Sequence, residues 1–270
     1  MVTEARNCYK SEEEKQEFIC QSEAAFEKRL DEVSAYILSH PDVRYVTLSG
    51  PTCACKSTTV KKIVSDVVDA GKRIYIISID DFFKSRTEDR QQSLEKGDRI
   101  DFDSIDALDF ALFEQCLGAI FRGEKVNLPI FDFMSAKRSG YNLVDPAEYD
   151  IIVFEGIQAI YPEITALFRG HRWLSIYIDV QGPVSIAGHT FSGREIRYIR
   201  RIVRDRRFRN ATPSFTMFLW ESVAENEEKN MVPYEHTANI HINSFIPYEL
   251  GLMKGPITQT LKEVAPNDRY

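Results

Sequence analysis

The most chemically loaded spacing in the chain is Gly50-Pro51-Thr52-Cys53-Ala54-Cys55-Lys56-Ser57-Thr58. The apolar run from Val43 to Leu48 before it reads as a buried strand, and Lys56 onward carries apolar residues at helical spacing. A strand, a tight turn and a helix start bring backbone N–H groups and the positive end of a helix dipole to one spot, which suits a phosphate. Gly50, Thr52, Cys53, Ala54, Cys55 and Thr58 would supply the cradle. Lys56 would reach the outer phosphates, and the Ser57 hydroxyl would hold Mg²⁺. Such loops follow G-x-x-x-x-G-K-[ST]; here Cys55 stands where the second glycine, which lets the backbone close around the phosphates, is expected, and a Cβ there would crowd the ligand.

Two acidic positions complement the loop. The apolar run Arg73 to Ile79 leads directly into Asp80-Asp81, and Asp150 to Glu155 is a second apolar run that ends in an acid. Carboxylates at the carboxyl ends of strands sit where open α/β sheets bind ligands. Asp80 could take the proton from an attacking hydroxyl, and Glu155 could face Mg²⁺. Between Arg194 and Arg209 lie eight arginines against Glu195 and Asp205, a basic segment in a chain of net charge −7. That contrast favours a small polyanion and disfavours a long nucleic acid.

The elements that must position these groups alternate. Strands are expected at 43–48, 73–79, 126–133, 150–155, 173–180 and 239–243. Helices are expected after Lys56, over 106–122, over 157–168 with an interruption at Pro162, from Arg194, and near the C-terminus beyond a turn at Gly255-Pro256. Such alternation predicts an α/β fold with a mainly parallel sheet flanked by helices. Residues 1–41 read as one or two amphipathic helices packed on the core, and 42–270 as the α/β domain. The 270 residues contain no apolar run of membrane-spanning length, and the first residues lack the apolar core of a signal peptide. A cytoplasmic protein is therefore expected, with its five cysteines as free thiols. Cys53 and Cys55, at a helix start, are candidates for lowered thiol pKa values. The charged N-terminal helices offer a surface on which a homo-oligomer could form.

The order of these segments resembles the uridine kinase and phosphoribulokinase family of P-loop kinases. Besides the loop, the resemblance rests on Ser78-Ile79-Asp80-Asp81-Phe82-Phe83-Lys84, Asp101-Phe102-Asp103-Ser104-Ile105-Asp106-Ala107, Pro129-Ile130-Phe131-Asp132-Phe133 with Arg138, Val153-Phe154-Glu155-Gly156-Ile157, and Arg200-Arg201-Ile202-Val203-Arg204-Asp205. It implies a P-loop fold with an arginine-rich helical lid, and phosphoryl transfer from ATP to the 5′-hydroxyl of a ribonucleoside with Mg²⁺. It further implies Asp80 as base and part of the metal shell, Glu155 and Ser57 at the metal, and Asp103 on the ribose diol. Phe131 and Phe133 would line the base pocket, with Arg138 supporting the sugar or base. Arg200, Arg201, Arg204 and Arg209 would neutralise phosphate charge, Arg204 within the catalytic set and Arg209 on the substrate side. Glu228 or Lys229 is also expected near the substrate. Phe131, Ala136 and Ser104-Ile105 depart from the family's tyrosine, histidine and His-Pro, which points to altered base specificity. A kinase for another hydroxyl compound, such as a sugar phosphate or pantothenate, and a degenerate nucleotide-binding regulatory module are the open alternatives.

Overall fold

A computed structural model describes residues 3–4, 9–85, 103–133 and 135–265. Asp101, Phe102 and most of the polar stretch between Ser85 and Asp103 lie outside the described residues. After a two-residue strand β1 (Thr3–Glu4) come α1 (Glu12–Ser39), β2 (Tyr45–Ser49), α2 (Lys56–Asp69) and β3 (Ile74–Ser78). A central stretch holds α3 (Phe110–Phe121), the hairpin β4 (Val126–Asp132) and β5 (Lys137–Val144), β6 (Ile151–Glu155), α4 (Pro162–Leu167) and β7 (Trp173–Asp179). The remainder is β8 (Val184–Ile186), β9 (His189–Phe191), α5 (Gly193–Phe208), α6 (Pro213–Asn230), β10 (Ile240–Asn243) and α7 (Glu249–Leu261).

Five strands form the parallel sheet, in the order β10-β7-β2-β6-β3. The pleat sends alternate residues to opposite faces. Val46, Leu48, Ile151, Val153, Ile176 and Ile178 pack one way, against Phe26, Leu30, Val33 and Ile37 of α1 and Val60, Ile63 and Val67 of α2. Tyr45, Ile152, Phe154 and Tyr177 pack the other way, against Phe113, Leu117 and Ile120 of α3 and Ile164 of α4. A third cluster, including Val184, Ile196, Phe245 and Leu250, joins the β8–β9 hairpin, α5 and α7.

Several boundaries differ from expectation, each for a local reason. The helix expected from residue 106 starts at Phe110, because the Asp109 side chain accepts the Leu112 N–H and caps it there. Pro162 starts α4 at its first helical position instead of interrupting a longer helix, and the residues before it form a 3₁₀ turn. Residues 137–144, not expected as a strand, pair antiparallel with β4 around a bulge at Ile130/Phe131. The turn expected at Gly255-Pro256 is instead the interior of α7, with Pro256 forfeiting one helical hydrogen bond.

The loop after β2 is bounded by two tight constraints. A Cβ on Gly50 would lie 2.1 Å from the Ile178 carbonyl oxygen, so no other residue fits beside β7. Cys53 (φ +60°) and Cys55 (φ +69°) both adopt the left-handed conformation. That region costs a side-chain-bearing residue about 1–2 kcal/mol, part of which glycine would return through its greater unfolded-state entropy. Cys55→Gly is therefore expected to stabilise the fold by about 0.5–1 kcal/mol, a rise of roughly 1–4 °C in thermal midpoint. A lower midpoint would contradict the strain.

Candidate active site

A cavity of about 620 Å³ opens over the carboxyl ends of the central strands. The loop contributes Thr52 through Cys55, and α2 contributes Lys56, Ser57 and Thr58. No side chain caps α2, and its first hydrogen bond is from the Thr59 N–H to the Cys55 carbonyl. The open helix start therefore faces the cavity that its first residues line, an arrangement that favours anions. Lys56 Nζ donates to the Gly50 and Pro51 carbonyls at 2.7 and 3.1 Å, which folds it back over its own loop. Gly50 backs the loop without lining the cavity.

Asp80 and Glu155 lie on the cavity floor. Burial, reinforced by the facing Glu155 carboxylate and offset by Lys56, pushes the Asp80 carboxyl up to about 7. Burial also raises Glu155, again with Lys56 opposing. Asp80 Oδ1 is buried with no hydrogen-bond partner among the described residues. An unsatisfied buried oxygen beside a second carboxylate, with the Ser57 residue at the same cavity, is a donor set that fits Mg²⁺. Asp81, the other member of the acidic pair, turns away: its Oδ1 accepts the Phe131 N–H at 3.0 Å and pins the β4–β5 hairpin. Gly156 is needed here as well, since a Cβ would come within 2.8 Å of Ile79 Cβ, just before Asp80.

The far end of the cavity is aromatic. Phe131 and Phe133 pack edge-on with each other and with Phe83, ring centroids 5.2–6.4 Å apart. Asp103 lines the same space, and its carbonyl accepts from Gln158 Nε2 at 3.2 Å and from the Tyr161 hydroxyl at 3.0 Å. Phe83, Lys84, Phe215, Thr216 and Leu219 also line the cavity and were not expected from the sequence. Phe83 could have been found from its place three residues after Asp80. Phe215 and Leu219 share a face of α6 by their four-residue spacing, but nothing local distinguishes that face from a packing stripe.

The arginine helix α5 divides its charges. Arg201, Arg204 and Arg209 line the cavity, each within ion-pair distance of the buried Asp205. Arg200 also lines it, but its guanidinium is bonded to Glu249, the Cys53 carbonyl and Ser244. Arg197 is buried between Asp179, at 2.6 Å, and Glu227, with both Nη groups on the Glu227 carboxylate at 2.6 and 2.8 Å. Arg138 lies outside the cavity lining: it donates to Asp109 Oδ2 at 3.0 Å and to the Tyr141 hydroxyl at 3.4 Å. Glu228 and Lys229 also lie away from the cavity, Glu228 pairing with Arg194 on the surface while its neighbour Glu227 turns inward. The thiol expectation is corrected for Cys55, whose pKa burial raises.

The two carboxylates differ in worth. Glu227→Ala leaves Arg197 buried and half-compensated, and is expected to cost about 3–5 kcal/mol in urea unfolding. Glu228→Ala is expected to cost below about 1 kcal/mol. Equal costs would show that burial of the Arg197 pair is not what matters.

Residues 45–247 match the model of the Phosphoribulokinase / Uridine kinase family. Uridine-cytidine kinase 2-B of Danio rerio is 28% identical over 167 residues, 59% of this chain and 57% of that protein. Uridine kinase of Lactobacillus helveticus is 29% identical over 149 residues, 55% of this chain and 61% of that protein. The chain thus spans less than two thirds of either relative. Among solved structures, a candidate fructose transport system kinase from Silicibacter sp. has a TM-score of 0.59 at 18% identity, covering 78% of this chain and 98% of that one. A candidate uridine kinase from Bacillus stearothermophilus has a TM-score of 0.54 at 15% identity, covering 80% and 97%. The likeness in structure carries the P-loop kinase fold, and the family match spans most of the sequence: the chain belongs to the phosphoribulokinase / uridine kinase family.

Proposed function

We propose that the protein is a cytoplasmic ATP-dependent nucleoside kinase that phosphorylates the 5′-hydroxyl of a ribonucleoside, uridine and cytidine first among them. The observation that carries this reading is one continuous cavity with an open helix start at one end, half-buried Asp80 and Glu155 on its floor, and an aromatic end beside Asp103. The relatives that match in sequence are a uridine-cytidine kinase and a uridine kinase.

In this reading the triphosphate of ATP lies on the loop from Gly50 to Thr58, with Lys56 released from the loop carbonyls onto the outer phosphates. Ser57, Glu155 and Asp80 would hold Mg²⁺, which when bound screens the phosphate charge. The nucleoside enters with its base among Phe131, Phe133 and Phe83 and its diol at Asp103. Asp80 accepts the 5′-hydroxyl proton as that oxygen bonds to the γ-phosphorus and the bond to ADP breaks. Asp80 Oδ1, buried with no hydrogen-bond partner among the described residues, is available to accept that proton. The transition state is loose, so positioning and charge stabilisation do most of the work. Arg201, Arg204 and Arg209 are the cations at the cavity wall suited to that charge, since guanidinium forks match phosphate oxygens. The apolar, phenylalanine-lined end favours recognition of the base by stacking over recognition by hydrogen bonds.

ADP release with Mg²⁺-ATP against a panel of ribonucleosides, deoxynucleosides and sugar phosphates tests the reading. Turnover is expected with ribonucleosides. In Asp80→Asn, kcat is expected to fall by about 10²–10⁴-fold with ATP still bound. Turnover of sugar phosphates alone would overturn the nucleoside assignment, and full activity in Asp80→Asn would remove Asp80 as the base.

A further inference from the structure

We propose that Arg200 and Glu249 form a positioning pair that holds the phosphate loop in shape in the absence of its second glycine. The inference rests on the reading of that loop as the nucleotide site. A side-chain-bearing residue stays in the left-handed region only where its surroundings over-determine it, and this loop has two, Cys53 and Cys55. The surroundings come from α5. Arg200 Nη1 donates to the Cys53 carbonyl at 3.0 Å and lies 3.6 Å from Cys55 Sγ. Its Nη2 donates to the Ser244 carbonyl at 3.0 Å. One turn earlier, Arg197 Nη1 reaches the Thr52 carbonyl at 3.4 Å. Successive loop carbonyls are thus drawn towards one helix.

Glu249 fixes the guanidinium that does this. Its two carboxylate oxygens accept from Arg200 Nε at 2.7 Å and Nη2 at 2.6 Å, a two-point fork. The carboxylate is itself oriented by the Ile246 N–H, 3.2 Å from Oε1. Glu249 lies beyond the 45–247 segment shared with the family, and Cys55 departs from the loop pattern. The loop departure at Cys55 and the carboxylate fork of Glu249 therefore meet at one side chain, and α7 becomes part of the nucleotide site without lining it. With Nε, Nη1 and Nη2 all engaged, Arg200 holds the loop; it is not a free cation waiting for phosphate.

The test is a double-mutant cycle of wild type, Glu249→Gln, Cys55→Gly and the double variant. Mg²⁺-ATP affinity is read by calorimetry. Loop opening is read as iodoacetamide alkylation of Cys53, with exposed Cys20 as internal reference. Glu249→Gln is expected to weaken ATP about tenfold and to speed Cys53 alkylation several-fold relative to Cys20, whereas in the Cys55→Gly background the same change costs less than about twofold. A purely structural role would give equal losses in both backgrounds, and that result, or unchanged affinity and alkylation in Glu249→Gln, overturns the proposal. If wild type binds no nucleotide, the nucleotide reading fails separately and alkylation decides the pair: unchanged Cys53 reactivity in Glu249→Gln overturns it, and faster reactivity abolished by Cys55→Gly supports it. Should Glu249→Gln fail to fold, Arg200→Lys, which keeps the charge but loses the fork, is read in the same way.

Discussion

Parallel register brings three carboxylates to one edge of the sheet. Glu155 ends β6 and Asp179 ends β7, while Asp80 follows β3; Leu48 and Ser78 both stand opposite Glu155 in the ladder. Each carboxylate is taken out of water at a cost that grows steeply without a partner. Asp179 is neutralised within the fold by Arg197. Asp80 and Glu155 share Lys56 as the cation that opposes their raised pKa values. The sheet edge is therefore electrostatically complete at β7 and incomplete between β3 and β6, where the cavity lies. Binding chemistry concentrates where compensation runs short.

The arginine helix follows the same logic. Its basic composition suggested a row of phosphate ligands, but helical geometry distributes the side chains around the axis. Arg194 and Arg197 meet Glu227 from α6, Arg200 meets Glu249 from α7, and Arg206 meets Glu263. Arg201, Arg204 and Arg209 remain at the cavity around Asp205. One helix thus both bonds the loop after β2 through Arg197 and Arg200 and lines the cavity with cations.

The parallel core was legible because its signals are local: apolar runs at 43–48, 73–79 and 150–155, the second leading into Asp80 and the third ending in Glu155, and a helix opening at Lys56. Lys56, Asp80 and Glu155 do converge on the cavity, and so do Asp103, Phe131 and Phe133. What escaped the sequence depends on partners distant along the chain. The capture of Arg138 by Asp109, of Arg197 by Glu227 and of Arg200 by Glu249 cannot be deduced from spacing. Strand β5 was missed because its exposed polar residues, paired only with β4, lack a buried alternating pattern. The substitution at Cys55 was legible as a departure, but its consequence, a left-handed residue braced from two remote helices, required the fold.

In the proposed reading, this incomplete edge is a nucleotide phosphate site. Calorimetric titration of the wild-type chain with ATP, with Mg²⁺ and again with the metal chelated, addresses it most directly. Saturable binding with Kd below about 1 mM is expected in Mg²⁺, and markedly weaker binding when the metal is removed, because Asp80 and Glu155 then face the phosphates uncompensated. No binding in either condition, or equal affinity in both, would contradict it.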